Sequence, residues 1–344
     1  MIKEIELKEL KTLDYPLLID VRSEGEFAEA TLPGAINIPL LNNEERARVG
    51  TVYIQVSPGA ARELGLQIVS PKLPGLIQEI KDLAKTKQIV IFCWRGGMRS
   101  KCLATVADLM EIPVYRLLGG YKAYRSQVLS YFQKELPFQT VVLRGNTGVG
   151  KTDLLRKLRT KGYPAVDLED LANNRGSVFG AVGLEDAPSQ KKFDGLLYEE
   201  LSSLHKYSYI IVECESKRIG KITLPGNFYT AMQKGLRILQ YDSMDNRVKR
   251  LLDEYTALPN AVFEISTALE RLNKTFGHTK IRELQKLLEE NRLDMFARYL
   301  LSEYYDKLYA YPNEPGGDYA FLVDYREPDL ALKHLTKFLD ETMS

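Results

Sequence analysis

The cysteine at position 93 lies in a stretch, IVIFCWRGGMRS, whose residue types could support chemistry at sulfur. It follows the apolar residues 89–92, which have the length and β-branched content of a buried strand. The Gly96-Gly97 pair lets the backbone curl so that several amide N–H groups point at one small anion, and a helix predicted from about Arg99 adds positive potential. With Arg95 also present, this setting favours the thiolate form of Cys93. The pattern predicts that Cys93 is a nucleophile with Arg95 and Arg99 as its cationic partners.

A second motif, GNTGVGKT at positions 145–152, has the spacing of a phosphate-binding loop. A predicted strand at residues 140–143 precedes it and helical leucines follow, which is the context that the motif requires. Lys151 would reach the phosphates, and Thr152 is the candidate ligand of a magnesium ion. Backbone amides bind a diphosphate equally well in a nucleotide or in another ester, so the ligand stays open. The predicted binding residues are Gly145, Asn146, Thr147, Gly148, Val149, Gly150, Lys151 and Thr152.

Further candidates follow two other predicted strands. Glu213 ends the apolar strand within YSYIIVECES, where nucleotide-binding folds carry an acidic residue for a metal or a water. Arg175 and Ser177 come shortly after a strand predicted at residues 165–168, so they would face the same rim as the phosphate loop. They either bind phosphate or a nucleic-acid backbone, or they belong to a solvated loop. The same two interpretations apply to basic residues of the later helices, namely Arg247, Lys249, Arg250, Lys280, Arg282 and Lys286.

Strands that alternate with helices surround both motifs. Such alternation predicts parallel sheets with functional residues at the carboxyl ends of the strands. A helix that runs into Pro137 marks a boundary, so we predict one domain at residues 1–135 and a second at residues 136–344. From about residue 245 the pattern is mainly helical, which predicts that the second domain ends in a helical subdomain.

Composition limits the class of protein and its compartment. The 344 residues include 47 basic and 46 acidic side chains, so a polyanionic partner would have to be met by local clusters. Three cysteines without C-x-x-C spacing predict neither a disulfide framework nor a cysteine metal site. No stretch approaches the ~18 apolar residues that span a bilayer, and the N-terminus lacks an apolar signal core. We therefore expect a cytoplasmic protein without a membrane partner.

The motifs also carry a resemblance to known families. DVRSEGEF at positions 20–27 and LPGAINIP at positions 32–39 resemble the framework motifs of a rhodanese domain, with Cys93 at the position of its persulfide-forming cysteine. The chain departs from ordinary rhodaneses at Ala30-Thr31, where a Gly-His pair is common. PLLNNEERARVGTVYIQ, CWRGGMRS, GNTGVGKT, DLEDLANNRGSVFG and VECESKRIG, in this order, resemble tRNA 2-selenouridine synthases. The resemblance implies an α/β protein with an N-terminal rhodanese-like parallel-sheet domain and a P-loop NTPase-like α/β domain that has a C-terminal helical subdomain.

This family resemblance implies an activity on tRNA. Its members replace the sulfur of wobble 2-thiouridine by selenium from selenophosphate, and they also geranylate that sulfur. By resemblance, Cys93 would carry selenium, Arg95 and Arg99 would stabilise the anion, and the phosphate loop would bind geranyl diphosphate, with ATP as the alternative. Wobble 2-thiouridine tRNA is the implied partner, and an enzyme that supplies selenophosphate is a further candidate partner. Mg²⁺ is a candidate cofactor.

Three other functions fit part of the sequence. Cys93 and Arg99 also match the C-x-x-x-x-x-R spacing of cysteine-dependent phosphatases, and a sulfurtransferase with a regulatory nucleotide-binding domain would use both motifs. Phe92 stands where many such phosphatases have histidine, and a phosphatase would leave the phosphate loop unused. A non-catalytic nucleotide-gated binding module is the remaining alternative.

Overall fold

A computed structural model describes residues 2–258, 260–313 and 318–343. The chain forms two compact units. The first comprises residues 1–131 with Asp194–Leu196, and the second comprises residues 132–193 and 197–344. Each unit contains its own parallel sheet.

The first unit is built on a five-stranded parallel sheet in the order β1-β5-β4-β2-β3. Its strands are β1 (Lys3–Ile5), β2 (Leu17–Asp20), β3 (Ile36–Asn37), β4 (Ile89–Phe92) and β5 (Val114–Leu117). Its helices are α1 (Glu24–Glu29), α2 (Asn43–Gln55), α3 (Pro58–Val69), α4 (Leu73–Ala84), α5 (Met98–Leu109) and α6 (Gly120–Phe132). A six-residue 3₁₀-helix also occurs at Leu7–Thr12.

The central strand of this sheet, β4, positions Cys93. All four of its residues are buried, as the continuous apolar run predicts for a strand covered on both faces. α4 precedes it with a strong apolar face that buries Ile77 and Ile80 against the core. Cys93 is the first residue beyond β4, at the carboxyl edge of the sheet, and α5 begins five residues later.

The second unit contains a parallel sheet in the order β12-β11-β6-β8-β7 and a two-stranded antiparallel ribbon, β9-β10. Its strands are β6 (Gln139–Arg144), β7 (Ala165–Val166), β8 (Tyr209–Glu213), β9 (Arg218–Ile219), β10 (Ile222–Thr223), β11 (Leu236–Tyr241) and β12 (Phe321–Asp324). Four helices lie between β6 and β11 in the chain. They are α7 (Lys151–Thr160), α8 (Leu168–Ala172), α9 (Gln190–Ser203) and α10 (Gly226–Lys234).

A helical region with its own apolar core follows β11. Its helices are α11 (Met244–Thr256), α12 (Ala261–Leu269), α13 (Asn273–Glu289), α14 (Leu293–Leu300) and α15 (Asp306–Tyr309). A short 3₁₀ turn at Glu270–Leu272 and a π-helical turn at Leu301–Tyr305 connect some of them, and α13 is kinked at Gly277.

The predicted helical region is present, but the chain continues beyond it. After it the chain returns to the sheet, where β12 pairs in parallel with β11 as an edge strand. The last helix, α16 (Pro328–Thr342), packs Leu335 and Leu339 into the core around β6. The strand has only four residues, so its pattern cannot be distinguished from a loop without its neighbour. Among the described residues, no helix is both long and apolar enough to cross a bilayer.

Candidate functional sites

The Cys93 sulfur lies beneath the loop that follows β4. Only 3% of the residue is exposed, and its Sγ is 3.2 Å from the Ser100 hydroxyl. Ser100 is fully buried in the first turn of α5, and its Oγ also donates to the Gly97 carbonyl at 3.3 Å. Sequence reasoning missed Ser100, although its place in the first helical turn after the glycine pair was visible. The Cys93 thiol therefore has the Ser100 hydroxyl as its polar partner. The side chain of Arg95, which the sequence predicts to be a cationic partner of Cys93, is exposed to solvent.

Close backbone approach explains two glycines around this loop. Gly96 and Gly120 have φ of +62° and +53°, a left-handed conformation that favours glycine. A Cβ on Gly120 would lie 2.0 Å from the Cys93 carbonyl oxygen, and a Cβ on Gly96 would lie 2.6 Å from the Leu117 oxygen. The Cys93 carbonyl accepts a hydrogen bond from the Tyr121 N–H at 2.9 Å. The turn after β5 therefore holds the Cys93 loop directly, backbone against backbone.

Arg99 is placed in an ion pair with Glu26. Its guanidinium lies 2.5 and 3.3 Å from the two Glu26 carboxylate oxygens, and the Glu26 side chain also lies near Arg46. Burial works to raise the pKa of Glu26, but the hydrogen bond and charge of Arg99 hold that pKa below its usual value. The positive charge of Arg99 is therefore already compensated by a carboxylate.

A second ion pair, Asp20 with Arg22, is almost fully buried beside the Cys93 loop. Arg22 donates to both Asp20 oxygens at 2.6 to 3.0 Å and to the Ala30 carbonyl at 2.6 Å. Its guanidinium lies 4.4 Å from the Tyr121 ring centre and 6.0 Å from that of Trp94. Trp94 thus packs on this cluster as part of the loop.

Replacing Asp20 by alanine should destabilise the first unit by about 3–5 kcal/mol, because Arg22 would remain buried without its carboxylate. Trp94 is the only tryptophan, so its fluorescence follows this unit during denaturant unfolding of the full chain. Asp82→Ala is a matched control, since Asp82 pairs with Lys85 on the surface, where such pairs contribute about 1 kcal/mol or less. An equal loss in both variants would contradict the assignment of the stability to the buried pair.

The phosphate-loop motif joins β6 to α7, as the sequence predicts. Gly145, Gly148 and Gly150 have φ of +152°, +80° and +91°. The Lys151 ammonium donates to the Gly145 carbonyl at 2.9 Å and to the Asn146 carbonyl at 3.4 Å, so it lies folded over the loop. This arrangement places a cation and the first amides of α7 at the carboxyl edge of the sheet.

The predicted loop residues divide into two groups. Asn146 and Val149 are buried and anchor the loop: the Asn146 amide donates to the Tyr311 carbonyl at 2.8 Å, and the Val149 carbonyl accepts from Gln240 at 2.8 Å. The other six line a cavity of about 610 Å³. These six are Gly145, Thr147, Gly148, Gly150, Lys151 and Thr152.

Two glutamates contact Thr152, and a third, Glu215, lines the same cavity as Glu169. The Thr152 hydroxyl donates to Glu169 at 3.0 Å and to Glu213 at 3.3 Å, and Glu213 also accepts from the Glu169 N–H at 3.2 Å. Burial raises the pKa of Glu169 to about 7 against the opposing charge of Lys151. Burial and then the charge of Glu169 raise the pKa of Glu215 to about 8, and the same two causes place that of Glu213 well above its usual value. Sequence reasoning found only Glu213.

These raised pKa values predict that stability falls as pH rises. The unfolded glutamates release their protons near the ordinary value of 4.5, whereas folded Glu169 and Glu215 retain theirs until about 7 and about 8. The stabilisation is therefore complete below about pH 4.5 and is lost as pH rises through 7 and 8. Thermal unfolding should show a smaller decline in Glu215→Gln, whereas the exposed Glu341→Gln should follow the wild type. Parallel curves for all three proteins would contradict the buried cluster as the cause.

Arg175 and Ser177 line the same cavity as the phosphate loop. Arg175 forms an ion pair with Glu254 and donates to the Val182 carbonyl at 2.8 Å. Gly176, between Arg175 and Ser177 in the chain, has φ of +66°, and a Cβ there would lie 2.7 Å from the Glu215 carboxylate. The segment is thus a structured wall of the cavity, built around a close approach to Glu215.

Two arginines of α11 hold the phosphate loop from outside. Arg247 is 1% exposed, donates to the Thr147 carbonyl at 2.9 Å and pairs with Asp306. Arg250 donates to the Gly148 carbonyl at 2.8 Å. The interpretation of Arg247 as a contact for nucleic-acid phosphates is wrong, because its guanidinium is buried and fully engaged in fixing the loop.

A larger apolar cavity of about 710 Å³ adjoins the phosphate-loop cavity. Thr147, Ser177, Leu251 and Tyr255 line both. The rest of its wall comes from the helical region and includes Phe179, Leu252, Leu258, Ile265, Leu288, Phe296, Leu300 and Tyr305. Among the described residues, no group of three or more His, Cys, Asp or Glu side chains is arranged as a metal site.

Comparison with known proteins identifies the family. A model of the tRNA 2-selenouridine synthase AAA domain matches residues 138–321, and a model of the rhodanese-like domain matches residues 5–127. The tRNA 2-selenouridine synthase of Nitrosomonas eutropha is 35% identical over 303 residues, covering 86% of this chain and 76% of that protein. The chain belongs to the tRNA 2-selenouridine synthase family. The synthase of Bordetella petrii is 32% identical over an alignment 373 residues long, gaps included, and the alignment covers 96% of this chain and 98% of that protein.

Membership of the tRNA 2-selenouridine synthase family confirms the resemblance and the α/β fold with a rhodanese-like and a P-loop-like part. Among solved structures, the chain is similar to the N-terminal domain of a putative ATP/GTP binding protein from Clostridium difficile 630. The two are 40% identical with a TM-score of 0.36, over 37% of this chain and 99% of that chain.

Proposed function

We propose that this protein converts wobble 2-thiouridine of tRNA to 2-selenouridine through an S-geranyl intermediate, with geranyl diphosphate and selenophosphate as co-substrates. Family membership supports the overall conversion. Geranylation of the sulfur makes C2 of the base more electrophilic and turns the sulfur into part of a thiol leaving group. A selenium nucleophile can then displace it, so the two activities form one sequence.

The observation that carries the geranyl step is the pair of adjoining cavities in the second unit. Geranyl diphosphate has a multiply charged anionic head and an apolar chain, and the cavities offer a phosphate loop with Lys151 next to a wall of Leu, Ile and Phe side chains. A nucleotide would present a polar sugar and base to that wall, which would leave their polar groups without partners. We infer that the prenyl chain occupies the apolar cavity and that Lys151 balances the charge of the departing diphosphate.

Thr152 and Glu213 suit a magnesium ion at the head group. Mg²⁺ takes oxygen ligands, typically one or two carboxylates together with substrate phosphates, and the Thr152 hydroxyl already lies between Glu169 and Glu213. Such an ion would neutralise charge on the diphosphate. Arg175 and Ser177, on the same cavity wall, would contact the donor or the tRNA backbone.

Cys93 is the proposed selenium carrier. Selenophosphate, delivered free or by a supplying enzyme, would be hydrolysed to phosphate and hydrogen selenide. With Cys93 held as a mixed disulfide with a small thiol, selenide would attack Sγ, the S–S bond would break, the small thiolate would leave, and selenium would stay on Cys93 as a perselenide beside the Ser100 hydroxyl. After selenium has displaced the geranyl thiol at C2, the small thiol would attack Sγ and break the S–Se bond, which releases 2-selenouridine and re-forms the mixed disulfide. Because the thiol is 3% exposed, the loop that carries the exposed Arg95 has to move aside for selenium to enter and leave. The ion pair of Arg99 with Glu26 argues against a phosphatase, in which that arginine must be available to the substrate phosphate.

Mass spectrometry of tRNA nucleosides tests this function. The full-length protein is incubated with a 2-thiouridine tRNA, and geranyl diphosphate and selenophosphate are supplied separately and together. S-geranyl-2-thiouridine should form with geranyl diphosphate alone, and 2-selenouridine should require both. Formation of 2-selenouridine without any prenyl donor would overturn the two-step scheme, and stimulation by ATP in place of geranyl diphosphate would assign the phosphate loop to a nucleotide.

A further inference from the structure

Aromatic rings line the junction where the phosphate-loop cavity meets the apolar cavity. Tyr255 lines both cavities, Tyr305 lines the apolar one and Tyr309 lines the other. The rings of Tyr305 and Tyr309 are stacked, with centroids 6.3 Å apart and planes within 6°. The Arg175 guanidinium already lies 5.5 Å from the Tyr255 ring centre, which shows that this ring accepts a cation at its face.

The Tyr305 hydroxyl is a buried polar group without a hydrogen-bond partner among the described residues. The residue is 4% exposed and, of the two cavities, lines only the apolar one. Because its oxygen has almost no accessible surface, a diphosphate bound on the phosphate loop does not reach it. Tyr305 therefore belongs to the apolar wall, and Tyr255 is the tyrosine that lines both cavities.

The chemistry of an allylic diphosphate determines what must lie at this junction. With the diphosphate on the phosphate loop and the chain in the apolar cavity, the allylic carbon C1 is the atom between them. As the C1–O bond stretches, positive charge develops on the allylic system and negative charge on the diphosphate. Aromatic faces stabilise a desolvated cation by about 2 kcal/mol, which corresponds to a rate factor of about 30.

We propose that Tyr255, which lines both cavities, is a catalytic residue of prenyl transfer whose ring face stabilises the allylic cation. This inference rests on the proposed geranyl transfer. In the step, the sulfur of 2-thiouridine forms a bond to C1 and the C1–O bond breaks. Its electron pair leaves on the diphosphate, and the N3 proton of the base passes to water.

Tyr255 keeps its proton during the step. Burial raises the pKa of Tyr255 to about 12, so the phenol does not ionise near neutral pH. Its hydroxyl donates to the Phe179 carbonyl at 3.4 Å, and the proposed step requires no proton transfer from it.

Steady-state geranylation of a 2-thiouridine tRNA by full-length variants tests this role. Tyr255→Leu should lower kcat by about 30-fold with KM nearly unchanged, and Tyr255→Phe should retain most of kcat because the ring remains. Tyr305→Phe should keep nearly the wild-type kcat, because the Tyr305 hydroxyl is enclosed in the protein. The exposed Tyr53→Leu is the control and should match the wild type.

A fluorination series separates cation stabilisation from a merely structural role. Phenylalanines with one, two and three ring fluorines at position 255 keep nearly the same shape but progressively weaken the cation-binding face. The logarithm of kcat should fall in steps with fluorination while thermal stability stays constant. A flat series in an active protein would overturn the inference alone, whereas a wild type that forms no geranylated nucleoside would overturn the proposed function and the inference with it.

Discussion

Cys93→Ala should abolish the formation of 2-selenouridine in tRNA while S-geranyl-2-thiouridine accumulates. The proposed selenium carrier is the Sγ atom that lies 3.2 Å from Ser100, and alanine has no atom that could hold selenium. Loss of a covalent nucleophile lowers turnover on the order of 10⁴-fold or more. The geranyl step uses cavities lined entirely by residues of the second unit, so its rate should change less than about twofold. Nucleoside mass spectrometry over a time course measures both products.

The controls for this experiment are Cys102→Ala and Ser100→Ala. Cys102 is a half-buried thiol on α5 and should be dispensable. Ser100→Ala keeps the nucleophile but removes its hydroxyl partner, so selenium transfer should slow by about 10-fold rather than stop. If Cys93→Ala and the wild type made the same amount of 2-selenouridine, Cys93 would not be the carrier. Equal loss of both products would show that the substitution damages more than the selenium step.

The parts of both sites that depend on local chain chemistry were predictable from the sequence. The run of residues 89–92 and the glycines after Cys93 determine a buried strand and a tight loop from neighbours only a few residues away. The same holds for the phosphate loop, whose glycines adopt the left-handed conformations that their spacing predicts. Lys151 and Thr152 then fall at the start of α7 as a direct result.

The parts that depend on distant neighbours were not predictable. Glu169 meets Thr152 only because β8 and β7 follow β6 in the order β6-β8-β7, which no local pattern specifies. Arg247 resembled other basic residues of a helical tail, and only the fold shows that it is buried against the phosphate loop. Arg99 pairs with Glu26, which is 73 positions away in the sequence. The loop pattern predicted that the Arg99 charge would act on Cys93 alone, but a carboxylate shares it.

The apolar cavity illustrates the same limit for the ligand. Its wall combines residues of α11, α12, α13 and α14 with Phe179 from the segment before α9. Each of those helices shows an ordinary apolar face in the sequence, which predicts a core and not a cavity. The phosphate loop alone therefore left a nucleotide and a prenyl diphosphate equally open, and the cavity beside it is what favours the prenyl donor.

Lys151→Ala should lower the rate of geranylation by about 10²–10³-fold, the scale expected when one preorganised group that stabilises developing negative charge is removed. The Lys151 ammonium lies 2.9 Å from the Gly145 carbonyl, at the entrance to α7, where it can move onto a bound diphosphate. Lys157→Ala is the matched control on the same helix, since Lys157 forms a half-exposed pair with Asp153. Initial rates with geranyl diphosphate and a 2-thiouridine tRNA measure the difference.

A tRNA that already carries S-geranyl-2-thiouridine makes the Lys151 experiment decisive for the division of labour. With this substrate and selenophosphate, Lys151→Ala should form 2-selenouridine at nearly the wild-type rate, because the prenyl donor is no longer needed. Cys93→Ala should stay inactive on the same substrate. If Lys151→Ala failed here too, the phosphate loop would serve the selenium step as well, and the assignment of one step to each site would have to be abandoned.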